Sequence, residues 1–269
     1  MKKFIFLVYL TFIIIFLFNF EVDASIGVLD GLTKEYTVRK GQELDDVITL
    51  FNSTNQVVNV RIYQKDYLFY ADGRKLYKEV DIVDRSNNKW IQIPDLVTIP
   101  PESEIPVNLS LLIPDDNTLN GTYWSIIMVE PLEMDDVDED ISNDGDVNLG
   151  VNTVVRYGIQ IVTHIGNTGE RSIKILEKRI LNENGKSILT LDIENDGQRW
   201  VKPEVSIDLY NSDGELSAEL SSGVIKRLFP GTSVRHSIDL GSVSGKYQAM
   251  VIIDNGDDNI WGAQYKLDL

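Results

Sequence analysis

The chain has 269 residues, with 42 acidic against 25 basic side chains, a formal net charge of -17 at pH 7 and no cysteine. That charge opposes binding to nucleic acid or to anionic lipid, because both surfaces would carry the same sign. The missing thiols exclude disulfides, thiolate metal centres and cysteine nucleophiles, so stability rests on buried apolar side chains.

Lys2 and Lys3 precede an apolar run over residues 4–18, followed by a polar stretch ending in Val22, Asp23 and Ala24. This order is that of a secretory signal peptide over residues 1–24, with cleavage expected before Ser25. The apolar run approaches the length that crosses a bilayer, so an uncleaved leader is the one expected source of membrane contact. In either case the protein is expected outside the cytoplasm, in a periplasm, secreted or at a cell surface. About 245 residues follow the leader, too many for one sandwich of about 100 residues and enough for two.

After Ser25 no long stretch carries apolar residues at helical spacing. Short segments rich in Val, Ile, Thr and Tyr alternate apolar and polar instead, separated by Asn, Asp, Gly and Pro, which is an all-β pattern. Residues 46–51, 57–63, 105–112 and 122–129 are the strands expected in the first half; 187–193, 205–210, 233–240 and 247–253 answer them in the second. The halves also repeat in their turns. ITLFNSTNQ leads to FYADG as LTLDIENDGQ leads to LYNSDG, and a proline turn at Pro101 or Pro230 leads on to Gly121-Thr122-Tyr123 or Gly245-Lys246-Tyr247. A duplicated pattern implies a duplicated fold. The predicted architecture is therefore all-β, with tandem immunoglobulin-like β-sandwiches at 25–165 and 170–269 joined by a polar linker at 166–169. Trp90, Trp124, Trp200 and Trp261 are expected mainly as packing residues.

Little in the sequence points to catalysis. The two histidines, His164 and His236, fall in different domains without metal-ligand spacing, and neither a Gly-x-Ser-x-Gly elbow nor a phosphate-binding loop is present. The expectation is a noncatalytic protein that binds a partner. Residues 133–146 concentrate eight Asp or Glu side chains. Such a run is a solvated loop or holds a cation, and Asp138, Asp140, Asp144 and Asp146 offer the oxygens that Ca2+ favours, without the order of an EF-hand. Calcium is the only cofactor the sequence raises. Next comes VNLGVNTVVRYGIQIVTHI, with Val147, Leu149 and Val151 on one face. This predicts a long strand over 147–161. At a sheet edge it would offer its backbone and apolar row to a partner strand; inside the sheet it would be ordinary core.

TIPPESEIPVNLSL, TYWSIIMVEP and the loop before that final strand resemble the periplasmic pilus chaperones, the PapD-like family. The resemblance implies a pilin-like or other envelope subunit as protein partner, bound by β-strand augmentation along Val147, Leu149 and Val151 during pilus assembly. It also implies two cleft cations that anchor the partner's terminal carboxylate. Arg156 falls near one of these positions; Tyr36 falls at the other, with Lys34 two residues away. Asn120-Gly121 stand where that family carries a charged Arg-Glu signature. The Pro-turn and Gly-x-Tyr strand are also similar to immunoglobulin-like cell-surface proteins of Gram-positive bacteria. That likeness implies the alternative function, a structural or adhesive cell-envelope module that binds calcium or a glycan.

Overall fold

The computed structural model describes residues 25–79, 82–132, 154–225 and 227–269. The first sandwich contains β1 (Ile26–Val28), β2 (Thr33–Val38), β3 (Glu43–Asn52), β4 (Val58–Phe69), β5 (Lys75–Lys78), β6 (Ile91–Gln92), β7 (Leu96–Ile99), β8 (Glu104–Leu112), β9 (Gly121–Pro131) and β10 (Tyr157–Ile165). The second contains β11 (Ile173–Glu183), β12 (Lys186–Asn195), β13 (Glu204–Tyr210), β14 (Leu216–Val224), β15 (Ser233–Asp239), β16 (Lys246–Asp254) and β17 (Ile260–Asp268). The eight strands expected from sequence fall on β3, β4, β8, β9, β12, β13, β15 and β16.

In the first sandwich the sheet β1-β3-β8-β6 faces the sheet β2-β10-β9-β4-β5, with β7 also paired to β4. In the second, β11-β12-β15 faces β14-β13-β16-β17. Alternation along each strand sends every second residue inward. Leu50, Leu109, Ile127 and Ile159 fill the first core, while Leu191, Ile207 and Val251 fill the second. Each such side chain, fully removed from water, contributes about 1.5–3 kcal/mol, which is how a chain without disulfides holds two cores.

The duplication has a physical basis in one asparagine per sandwich. Asn52 Nδ2 donates to the carbonyls of Gln56, Ile99 and Pro100, and its Oδ1 accepts from the amide of Thr54. Asn195 Nδ2 donates to the carbonyls of Arg199 and Leu228, and its Oδ1 accepts from the amide of Gly197. Both side chains are fully buried. Each ties the turn after its own strand to the segment before the proline turn, so sequence and contact repeat together.

Of the long strand expected over 147–161, residues 147–153 lie outside the described residues, and the structure corrects the stretch that follows them. Residues 154–156 are not in a strand, and β10 begins at Tyr157 and runs on to Ile165. Tyr157 lies opposite Val129, so Val155 would fall opposite Pro131, which has no amide to donate. The next amide, that of Leu132, is already given to Asn59 on β4.

Candidate partner-binding cleft

The two sandwiches meet at the start of β9. The amide of Thr122 donates to the carbonyl of Gln198 at 2.9 Å, and the amide of Gly121 to Thr168 Oγ1 at 3.1 Å. Gly121 sits at φ +71, where a Cβ would lie 2.0 Å from the Gln198 carbonyl oxygen. Only glycine fits both that conformation and that approach. Farther along β9, the Trp124 ring stacks on Phe229 at 4.9 Å and 9°, with Val162 of β10 packed against them. Trp200 stacks on His164 at 5.6 Å, and the Arg227 guanidinium lies 5.3 Å from the same indole. Two of the four tryptophans thus bind one sandwich to the other.

His164 is 4 % exposed. Its Nδ1 lies 2.9 Å from Thr122 Oγ1 and its Nε2 3.0 Å from Glu35 Oε1. Arg227 reaches the same β2 strand, donating to Thr33 Oγ1 at 2.9 Å and to Glu35 Oε2 at 3.5 Å. Burial pushes the His164 imidazole below its ordinary pKa; Glu35 opposes that shift, and the charges of Arg199 and Arg171 reinforce it.

Beside this junction opens a cleft of about 650 Å³. Tyr67, Phe69, Gln160 and Arg74 line it from the first sandwich, and Trp200, Lys202, Arg227 and Phe229 from the second. Arg74, Lys75, Lys202 and Arg227 give it four cations and no lining residue is acidic, although the whole chain is strongly negative. An anionic group is the ligand chemistry that such a surface favours.

β10 leads from this cleft to an open sheet edge. Its amide at Gln160 donates to the Leu32 carbonyl, and from there to Ile165 the strand is covered by β2 in parallel register. Backbone groups alternate sides, so the N–H and C=O of Gly158 point the same way as those of Gln160. No described strand pairs with residues 157–159 on that side.

The residues expected from sequence to bind a partner are not gathered at one place. Val147, Leu149 and Val151 lie outside the described residues, as do Asp138, Asp140, Asp144 and Asp146. Arg156 bonds Glu130 Oε1 at 2.7 Å. Burial alone would raise the Glu130 carboxyl, but hydrogen bonds from Arg61 and Tyr63 and the charge of Arg156 hold it below the usual carboxylate range. Lys34 Nζ and the Tyr36 hydroxyl both donate to Asp46 Oδ2, at 2.9 and 2.6 Å, and neither lines the cleft. The cations that do line it, Arg227 and Lys202 above all, were missed. Comparing the two halves would have revealed their surroundings. Counted from the paired asparagines, Trp200 stands where the first half has Val57, and counted from the paired turn prolines, Phe229 stands where it has Pro100, both of them exposed.

The second histidine is not poised for nucleophilic catalysis. His236 Nε2 lies 2.7 Å from Ser222 Oγ, but that hydroxyl donates to the Val205 carbonyl. The imidazole must therefore supply the proton between them, which makes the pair a clasp from β15 to β14 rather than a base on a nucleophile. Among the described residues no group of three His, Asp or Glu side chains could hold a metal ion.

No family model and no curated protein matches the sequence. Among solved structures, a chain from a chaperone–tip adhesin complex of CFA/I fimbriae biogenesis aligns with TM-score 0.50 at 11% identity, over 90% of this chain and 98% of that one. The fold resembles that of a fimbrial chaperone. The class 5 fimbriae chaperone CfaA aligns with TM-score 0.48 at 12% identity, over 91% and 100% of the two chains. CsuC, in complex with CsuE from the archaic Csu pili of Acinetobacter baumannii, aligns with TM-score 0.44 at 14% identity, over 90% and 98%.

Proposed function

We propose that this is a noncatalytic, extracytoplasmic chaperone-like protein that holds an envelope subunit of the pilin kind by strand pairing at β10. The observation that carries the reading is the continuity of an open sheet edge at residues 157–159 with a cationic interdomain cleft. A partner strand beside Gly158 would take its N–H and C=O, which no described strand uses, and such bonds are the usual source of affinity in strand addition. Where that strand ends, at Gln160, its terminal carboxylate would meet Arg227 and Lys202. The resemblance to pilus chaperones and the leader expected at residues 1–24 support a periplasmic location and a partner that arrives incomplete.

The test is amide exchange on the complex isolated from the native envelope. Strand addition slows exchange at Gly158 selectively, and Arg227→Glu weakens capture by more than about tenfold through charge reversal at the carboxylate. Slowed exchange elsewhere, with Gly158 unchanged, would move the partner to a different surface.

A further inference from the structure

Each interaction of His164 in the junction constrains where its proton sits. The amide of Trp200, in the second sandwich, donates to Thr122 Oγ1 at 3.0 Å. The Thr122 hydroxyl proton is then free to go to His164 Nδ1, leaving Nε2 to carry the ring's own proton toward the Glu35 carboxylate. The other neutral tautomer would set a lone pair against that carboxylate. Neutral His164 therefore satisfies a fully buried threonine, a backbone amide from the other sandwich and a carboxylate together. A second proton, on Nδ1, breaks this pattern. Thr122 would have to accept from both Nδ1 and Trp200, and its own proton would lose the acceptor it has.

The charges around the ring add to that penalty. β2 presents Glu35, the segment before β13 presents Arg199, the linker region presents Arg171, and Arg227 stands behind Glu35. Arg171 is itself paired with Asp257, and Arg199 donates to Asn167. Two partly exposed carboxylates, Glu35 and Asp257, thus stand among three guanidinium groups, and of the two it is Glu35 that bonds the ring.

We propose that His164 is a proton-sensitive latch between the two sandwiches: neutral, it holds the junction and the shape of the cleft; protonated, it loosens both. The sign follows from the surroundings. Docking lowers the imidazole pKa, chiefly through burial. Its stabilisation is therefore fully present above the free-histidine value of about 6.5 and is lost as pH falls below it. For the cleft this is regulation of the surface assigned above, and its effect on a partner rests on that assignment; the latch itself can be read without any partner.

The absence of cysteine makes the measurement direct. Spin labels at Asn117→Cys and Asp213→Cys, exposed sites on opposite sandwiches, report the inter-sandwich distance by pulsed electron resonance. The distribution is expected to be narrow at about pH 7.5 and to broaden reversibly toward longer distances at about pH 5. His164→Gln, whose amide can accept from Thr122 and donate to Glu35 without titrating, should stay narrow at both. Glu35→Gln, which removes the carboxylate that steadies the imidazolium in the docked state, should let the distribution broaden from a higher pH. An unchanged distribution in the parent protein, equal broadening in His164→Gln, or an onset unmoved or lowered in pH by Glu35→Gln would each overturn the latch. Loss of partner binding in the envelope assay, with the pH response intact, would instead overturn only the proposed function.

Discussion

Asn195 shows how much one side chain can hold. It has no exposed surface, and its amide closes the turn at Arg199 while bonding the carbonyl of Leu228, just before the Pro230 turn. Asn195→Ala leaves those carbonyls and the Gly197 amide without this partner and should cost about 2–3 kcal/mol. Asn195→Asp should cost more at neutral pH, because a carboxylate oxygen would face two carbonyl oxygens. Urea unfolding of the three proteins checks the order. Gly121 is the second such residue. Gly121→Ala adds a left-handed-region penalty and a clash with Gln198, together about 2–4 kcal/mol, visible as a lowered unfolding midpoint. The sequence marks Gly121 as the start of a turn into a strand. It does not show that the obstacle to a side chain is a carbonyl in the other sandwich.

At the scale of strands, legibility followed burial. β9 and β12 read as strands because they are central in their sheets and apolar over long runs. β11, β14 and β17 escaped because they are edge strands whose exposed positions mix polar residues with Leu176, Leu181, Leu216, Val224 and Ile260, so the two-residue period is faint. β2 escaped for another reason. Its inward-facing residues include Lys34 and Tyr36, polar groups held by Asp46, where a sequence reader expects aliphatic side chains. The resemblance to pilus chaperones put Lys34 near a cleft cation; its bond to Asp46, twelve residues on, keeps it out of the cleft. Arg227 went unremarked because nothing local distinguishes it; its role comes from Trp200, Thr33 and Glu35, all distant in sequence.

For the whole molecule, the junction decides whether two sandwiches behave as one. Trp124, Val162 and Phe229 form a buried cluster between them, and Trp200 packs beside it. Joined this way, the protein should melt in a single calorimetric transition. Trp200→Ala removes a partly buried indole and its stack on His164, a loss of about 3 kcal/mol at the junction. The expected outcome is two resolved transitions, one for each sandwich, with the second core little changed. A single transition shifted as a whole would place the Trp200 contribution inside the second sandwich instead. The difference between the repeats, Trp200 and Phe229 against exposed Val57 and Pro100, is what turns a duplicated fold into a jointed one.

The parallel pairing of β2 with β10 has a mechanical consequence. β2 follows β1 near the N-terminal end of the first sandwich and β10 stands at its exit into the linker, in register from Thr33 opposite Gln160 to Val38 opposite Ile165. Tension applied between the start of β2 and the second sandwich pulls these two strands past each other along their length. The hydrogen bonds between them are then loaded in shear, together, rather than peeled one at a time from an end. The first sandwich is thereby built to resist extension along the direction in which its own chain passes through it.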